Sequence, residues 1–143
     1  MYKLFLATIT LLATYASSAA ITKPADNQVS QLETRGNFLG DGTWYTTETG
    51  RPGSCGEWLN DGMMVVALNA PQMGDTAECN RQVWVTNITN GETQVARVVD
   101  KCPECLWGSL DMSPALFSSI CGGQLGLGRV PITWGFCDRE HGC

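Results

Sequence analysis

Residues 98–117 read VVDKCPECLWGSLDMSPALF, and the reading of this stretch decides the fold. Cys102 and Cys105 stand in a CxxC spacing between two aspartates, Asp100 and Asp111. Elsewhere CxxC means zinc or thiol redox chemistry. Zinc needs two more ligands, and the chain has one histidine, His141, in its tail. A redox CxxC sits between a strand and a helix of a parallel sheet, which the surrounding pattern does not resemble. What remains is a disulfide tying the loop ahead of Asp111. No metal and no cofactor is expected.

Upstream of this stretch, short β-branched and aromatic runs are punctuated by glycine. GTWYTTET (42–49), MMVVALN (63–69), RQVWVTNI (81–88) and TQVARVVD (93–100) read as strands. Asn90-Gly91 supplies a hairpin turn between the last two. Downstream, Ser113 reads as a helix N-cap with Pro114 at the first helical position, and Gly122-Gly123 stop the helix. GRVPITWGF (128–136) is a closing strand. Many short strands and few helical residues favour a small barrel over a sandwich.

The N-terminus decides the compartment. One positive charge in Met1-Tyr2-Lys3 precedes the uncharged LFLATITLLATYA, and SSAA offers small residues for cleavage. Residues 1–20 are expected to be a signal peptide and the protein to be secreted. The apolar run is short for a bilayer span, and no second one follows. Residues 21–39 are polar and aperiodic, and are expected to form a flexible lead-in to a single domain over 40–137, followed by a tail at 138–143. Without Lys3, 8 Lys and Arg face 14 Asp and Glu, a net charge of −6. That balance argues against nucleic acid, anionic membranes and polyanionic glycans as partners. All seven cysteines follow residue 54, as befits a disulfide framework in an oxidising compartment.

The order GTWYT, SCG, VVALN, VWVTN, ARVVDKCPEC, GSLDMSPALF and VPITW resembles the RlpA-like double-psi β-barrels. That superfamily includes barwin, expansin domain 1, loosenins and papain-inhibitor-type proteins, and the match spans about Gly40 to Trp134. The resemblance implies an all-β, six-stranded double-psi barrel with one or two short helices, stapled by disulfides. It places Asp111 at the essential expansin aspartate, Asp100 at the second aspartate eleven residues upstream, and Thr43 in the same polar cluster. Cys102 stands where some expansins carry a tyrosine. Pairing of seven cysteines is not fixed by sequence. The expectation is that Cys55, Cys79, Cys102 and Cys105 pair among themselves and Cys121 with Cys137, leaving Cys143 as the odd thiol.

Asp111 is read as a general acid or a strong acceptor for sugar hydroxyls, since Ser113 already serves as the helix cap. Asp100 reads equally well as an orienting group or as a loop anchor. Glu104 is read as solvated. Trp107 is the expected sugar platform, with Trp44 or Tyr45 on the opposite wall, because neighbours on a strand face opposite ways. Trp84 and Trp134 are read as core. Asn87-Ile88-Thr89 is an N-glycosylation sequon, so Asn87 is a candidate acceptor.

Glycoside hydrolysis ordinarily takes two carboxylates. In the barrel-related family-45 hydrolases the base follows the aromatic pair of the first strand. Here that place is Thr46, so a non-enzymatic role is expected. The leading expectation is a monomeric, secreted, non-hydrolytic protein that binds and loosens cell-wall polysaccharide: β-glucan, cellulose or chitin. The alternative is an inhibitor of papain-type cysteine proteases, or an effector, using loop 47–58. A glycoside hydrolase or lytic transglycosylase is the third and least favoured.

Overall fold

Alternation of buried and outward residues builds six strands: β1 (Asn37–Trp44), β2 (Val65–Asn69), β3 (Gln82–Asn87), β4 (Thr93–Cys102), β5 (Leu110–Met112) and β6 (Arg129–Phe136). A one-turn helix α1 (Ala70–Met73) follows β2, and α2 (Pro114–Ile120) follows β5. The computed structural model describes residues 37–137 and Cys143. The expected signal peptide, residues 21–36 of the lead-in and residues 138–142 of the tail lie outside the described residues.

The strands close in the order β1-β5-β2-β4-β3-β6. β1 with β5 and β2 with β4 are parallel, and the other neighbours are antiparallel. A parallel pair cannot be joined by a tight turn, so the chain crosses over twice. This is the six-stranded double-psi barrel that the resemblance implied, with two short helices.

Val66, Leu68, Val83, Val85, Val98, Leu110, Met112, Ile132 and Trp134 fill the interior, and Leu116, Phe117 and Ile120 of α2 pack on it. Burying each large apolar side chain contributes about 1.5–3 kcal/mol. The period of two then fixes what faces outward. With Leu110 and Met112 inside, Asp111 between them points out of the barrel. Ser113 caps α2 as expected, accepting from the Leu116 amide at 3.3 Å, with Pro114 next.

Several expectations are corrected. The first strand is not 42–49. It starts at Asn37, inside the expected lead-in, and ends at Trp44. Its polar-looking start hides Phe38, whose ring lies 4.6 Å from that of Trp134. Past Tyr45 the chain is drawn away, because the Thr47 amide and hydroxyl both donate to Asp61. β5 was not anticipated, since three residues are too few to show a period. Trp84, read as core, is only half-buried on the outer side of β3.

The bridges are Cys55–Cys79, Cys102–Cys105 and Cys137–Cys143. The first two agree with pairing among the four upstream cysteines. The Cys121–Cys137 bridge does not form. Cys121 ends α2 inside the core, its sulfur accepting from the Asn87 amide at 3.7 Å, while Cys137 emerges from β6 and takes Cys143. Asn87 itself is only 2% exposed and donates to the Ile120 carbonyl at 3.1 Å.

One contact fixes the loop before β5. Gly108, at φ +79°, and Gly40 pass so closely that a Cβ on either would collide with the backbone of the opposite segment. The Trp134 indole nitrogen donates to the Gly108 carbonyl at 2.7 Å and pins the same spot. Gly40→Ala and Gly108→Ala are each expected to cost about 2–3 kcal/mol in equilibrium unfolding. Gly126→Ala, where nothing lies near the new methyl group, should stay within about 0.5 kcal/mol of wild type.

Candidate functional site

Strand register brings four sequence-distant polar residues into one row with Ala67. Arg129 on β6 is opposite Thr43 on β1, and Thr43 is opposite Asp111 on β5. Asp111 is opposite Ala67 on β2, and Ala67 is opposite Asp100 on β4. These five residues form a single rung across five adjacent strands.

Over this rung lies a cleft of two adjoining recesses, about 340 Å³ and about 320 Å³, which share Cys102, Glu104 and Asp111. One extends to Asp41, Thr43, Leu106 and Arg129. The other extends to Tyr45, Ala67, Asp100 and Lys101. Asp111 stands where they meet.

Thr43 Oγ1 donates to Asp111 Oδ1 at 2.7 Å. Burial pushes the Asp111 carboxyl up from 3.8, while the Thr43 hydroxyl and the Arg129 charge pull it down. Asp100 is differently employed. Its Oδ1 accepts from the Ser54 amide at 2.8 Å, the Ser54 hydroxyl at 2.6 Å and the Lys101 amide at 2.8 Å. Of the two readings of Asp100, this geometry matches the loop anchor: it ties segment 47–58 to the end of β4. Tyr45 reaches its other oxygen at 3.4 Å. Burial first, and then the Asp100 charge and hydrogen bond, push the Tyr45 hydroxyl above its ordinary 10.0, so it remains a donor.

Trp44 and Tyr45 divide as the strand period requires. Tyr45 lines the cleft, whereas Trp44 packs against the core and donates from its indole nitrogen to the Leu125 carbonyl at 3.0 Å. Trp107 is half-exposed and edge-on to Phe38, with ring centroids 6.3 Å apart. It stands next to Leu106, which lines the cleft, and is not itself among the lining residues. Where some expansins carry a tyrosine, Cys102 lines both recesses, tied by its bridge to Cys105, which lines the first. Thr46 is exposed beyond the first strand.

Sequence reasoning missed several participants, among them Arg129, Asp41, Leu106, Ala67, Ser54 and Glu104. Glu104, read as merely solvated, lines both recesses. Only strand register reveals Arg129 and Ala67, and no local pattern marks either.

The closed barrel and its outward carboxylate cleft define a protein of the barwin and expansin type. The chain belongs to the Barwin family, whose sequence model matches residues 23–136. Allergen Asp f 7 of Aspergillus fumigatus is 37% identical over 127 residues, which is 85% of this chain and 45% of that protein. The apo expansin of Clavibacter michiganensis superposes with a TM-score of 0.62 at 27% identity, over 72% of this chain and 51% of that one. A point mutant of that expansin, in complex with cellohexaose, gives 0.61 at 26%, over 71% and 50%. Streptomyces papain inhibitor gives 0.59 at 30%, over 70% of this chain and 93% of that one. The chain spans about half the length of the first curated relatives it matches. Among the described residues no helix is long and apolar enough to cross a membrane.

The raised Asp111 carboxyl has a consequence for stability. The folded chain holds this proton more tightly than the unfolded one, so ionising Asp111 costs stability. The cost is absent below 3.8, sets in as pH rises through the folded value, and is complete above it. Asp111→Asn is therefore expected to melt higher than wild type at pH 7 and equally at pH 3. Thr43→Val should raise the Asp111 pKa further, as read by carboxyl NMR titration.

Proposed function

We propose that this protein acts outside the cell, where it binds and loosens cell-wall polysaccharide without hydrolysing it. The observation that carries this reading is the division of labour between the two aspartates. Asp111 sits at the middle of an open cleft, braced by one hydroxyl. Asp100 is spent on loop amides and hydroxyls, and the expected position of a base holds Thr46. A hydrolase needs a second carboxylate set to activate water or attack the sugar, and the one other carboxylate shared by both recesses, Glu104, is exposed and fixed by no hydrogen bond among the described residues. An acceptor fixed in a polar cleft instead suits hydroxyl binding, and the match to an expansin in complex with cellohexaose supports a β-glucan. Cellulose and chitin present the same flat, hydroxyl-edged ribbon. Tyr45 offers an aromatic ring within the cleft on which such a sugar stacks, and the half-exposed Trp107 stands just outside it, next to Leu106.

The test is retention of the protein on insoluble cellulose and chitin, with soluble reducing ends measured alongside. Wild type is expected to be retained and to release no reducing ends. Asp111→Asn should bind about tenfold more weakly, the worth of a charge-assisted hydrogen bond. Failure of wild type to bind any insoluble glucan or chitin would overturn the reading, and so would release of reducing ends.

A second reading rests on the likeness to Streptomyces papain inhibitor, nearly all of which this chain covers. Segment 47–58 is a preorganised loop, held by Cys55–Cys79, by Ser54 on Asp100 and by Glu57 on Arg97 at 2.6 Å. A rigid wedge loses little freedom on docking. Titration of papain decides it: inhibition that Asp100→Ala abolishes, by freeing the loop, supports an inhibitor, and full papain activity at micromolar protein removes it.

A further inference from the structure

The rung extends past Asp111 to a feature that the polysaccharide reading has not used. Arg129 Nη1 donates to Asp41 Oδ2 at 2.7 Å across β6 and β1, at the far end of the cleft from Asp100. The two side chains are 64% and 47% exposed, and exposed pairs of this kind contribute little to stability. The pair nevertheless occupies cleft wall rather than open surface. The Asp41 amide is steadied by the Ser109 hydroxyl at 3.2 Å, and Leu106, 78% exposed, lines the same recess as the pair.

We propose that Arg129, Asp41 and Leu106 form an end subsite for a neutral hexose ring, so that one polysaccharide chain runs through both recesses, from Asp100 past Asp111 to Arg129. This rests on the polysaccharide-binding reading above. Among the described residues the Arg129 guanidinium spends one donor, on Asp41, leaving others for sugar hydroxyls. Asp41 keeps acceptor capacity beside those donors. A donor fixed next to an acceptor matches two adjacent ring hydroxyls, one accepting and one donating. Leu106 supplies an apolar surface for the C–H face of the same ring.

Asp100 and Arg129 line different recesses that meet at Asp111, so a chain must be longer than one ring to reach both. Ala67, small and midway between Asp100 and Asp111, lets a ring pass over β2. The ion pair adds no net charge, while Asp111 and Glu104 nearby disfavour a uronate. A neutral chain is the ligand class.

The experiment titrates wild type, Arg129→Ala and Asp41→Asn with cello-oligosaccharides and N-acetylchito-oligosaccharides of two to six residues, by calorimetry. Wild-type affinity is expected to rise with length and level off once the chain spans both recesses. Either substitution should weaken the longest ligand about tenfold and erase most of its gain over the shortest. Thermal melts of both variants should match wild type, since the pair is exposed. Equal losses at every length would overturn the subsite, because Arg129 would then act only through the charge of Asp111. Unchanged affinity in variants of a protein that binds polymer would overturn the subsite alone. A wild type that binds neither oligomer nor insoluble polymer would overturn the polysaccharide reading and the subsite together.

Discussion

The barrel closes through a strand of three residues. β5 is parallel to β1 on one side and antiparallel to β2 on the other, and without it those two strands have no connection. So short an element makes too few ladder hydrogen bonds to find its own register. Its position is imposed from upstream, where Gly108 lies on the backbone of Leu39-Gly40 and Trp134 holds the Gly108 carbonyl. Downstream, Ser113 bonds to the Met63 carbonyl and caps α2. The central residue of this strand is Asp111. The constraint that completes the fold therefore also aims the cleft carboxylate.

Placing a carboxylate there is not the cheapest arrangement. Burial disfavours its charge, and the Thr43 hydroxyl and the Arg129 guanidinium only partly offset this. Such a conflict between stability and charge is expected at a working site. Asp100, eleven residues earlier, shows the contrast. Several donors converge on one of its oxygens, and the result is an anchored loop in place of an available ligand. Two aspartates flanking one motif thus have separate tasks, set by the donors each meets.

The CxxC between them belongs to the architecture of the cleft. The bridge closes a tight loop at the end of β4, with Cys102 lining both recesses and Cys105 one of them. Tyr45, from the other side of the barrel, brings the aromatic ring that this loop lacks. Local spacing made a disulfide the expectation for this pair, but only the folded chain shows which surface the bridge faces.

Much of the fold was legible in residues 40–137. Period-two apolar runs located four strands to within a few residues, Asn90-Gly91 located the hairpin, and Ser113-Pro114 with Gly122-Gly123 bounded α2. These signals are local, since each depends on neighbours a few residues apart. Asp111 and Thr43 were legible through the motif that contains them. What the tertiary structure alone decided is everything that depends on register: the start of β1 at Asn37, β5 as a strand, the burial of Asn87 and Cys121, and the row from Arg129 to Asp100. Register between strands 68 residues apart is set by which apolar residues pack inside the closed barrel and where its backbones can touch. A linear sequence specifies that packing but does not display it, because the partners meet only after the chain has crossed over itself.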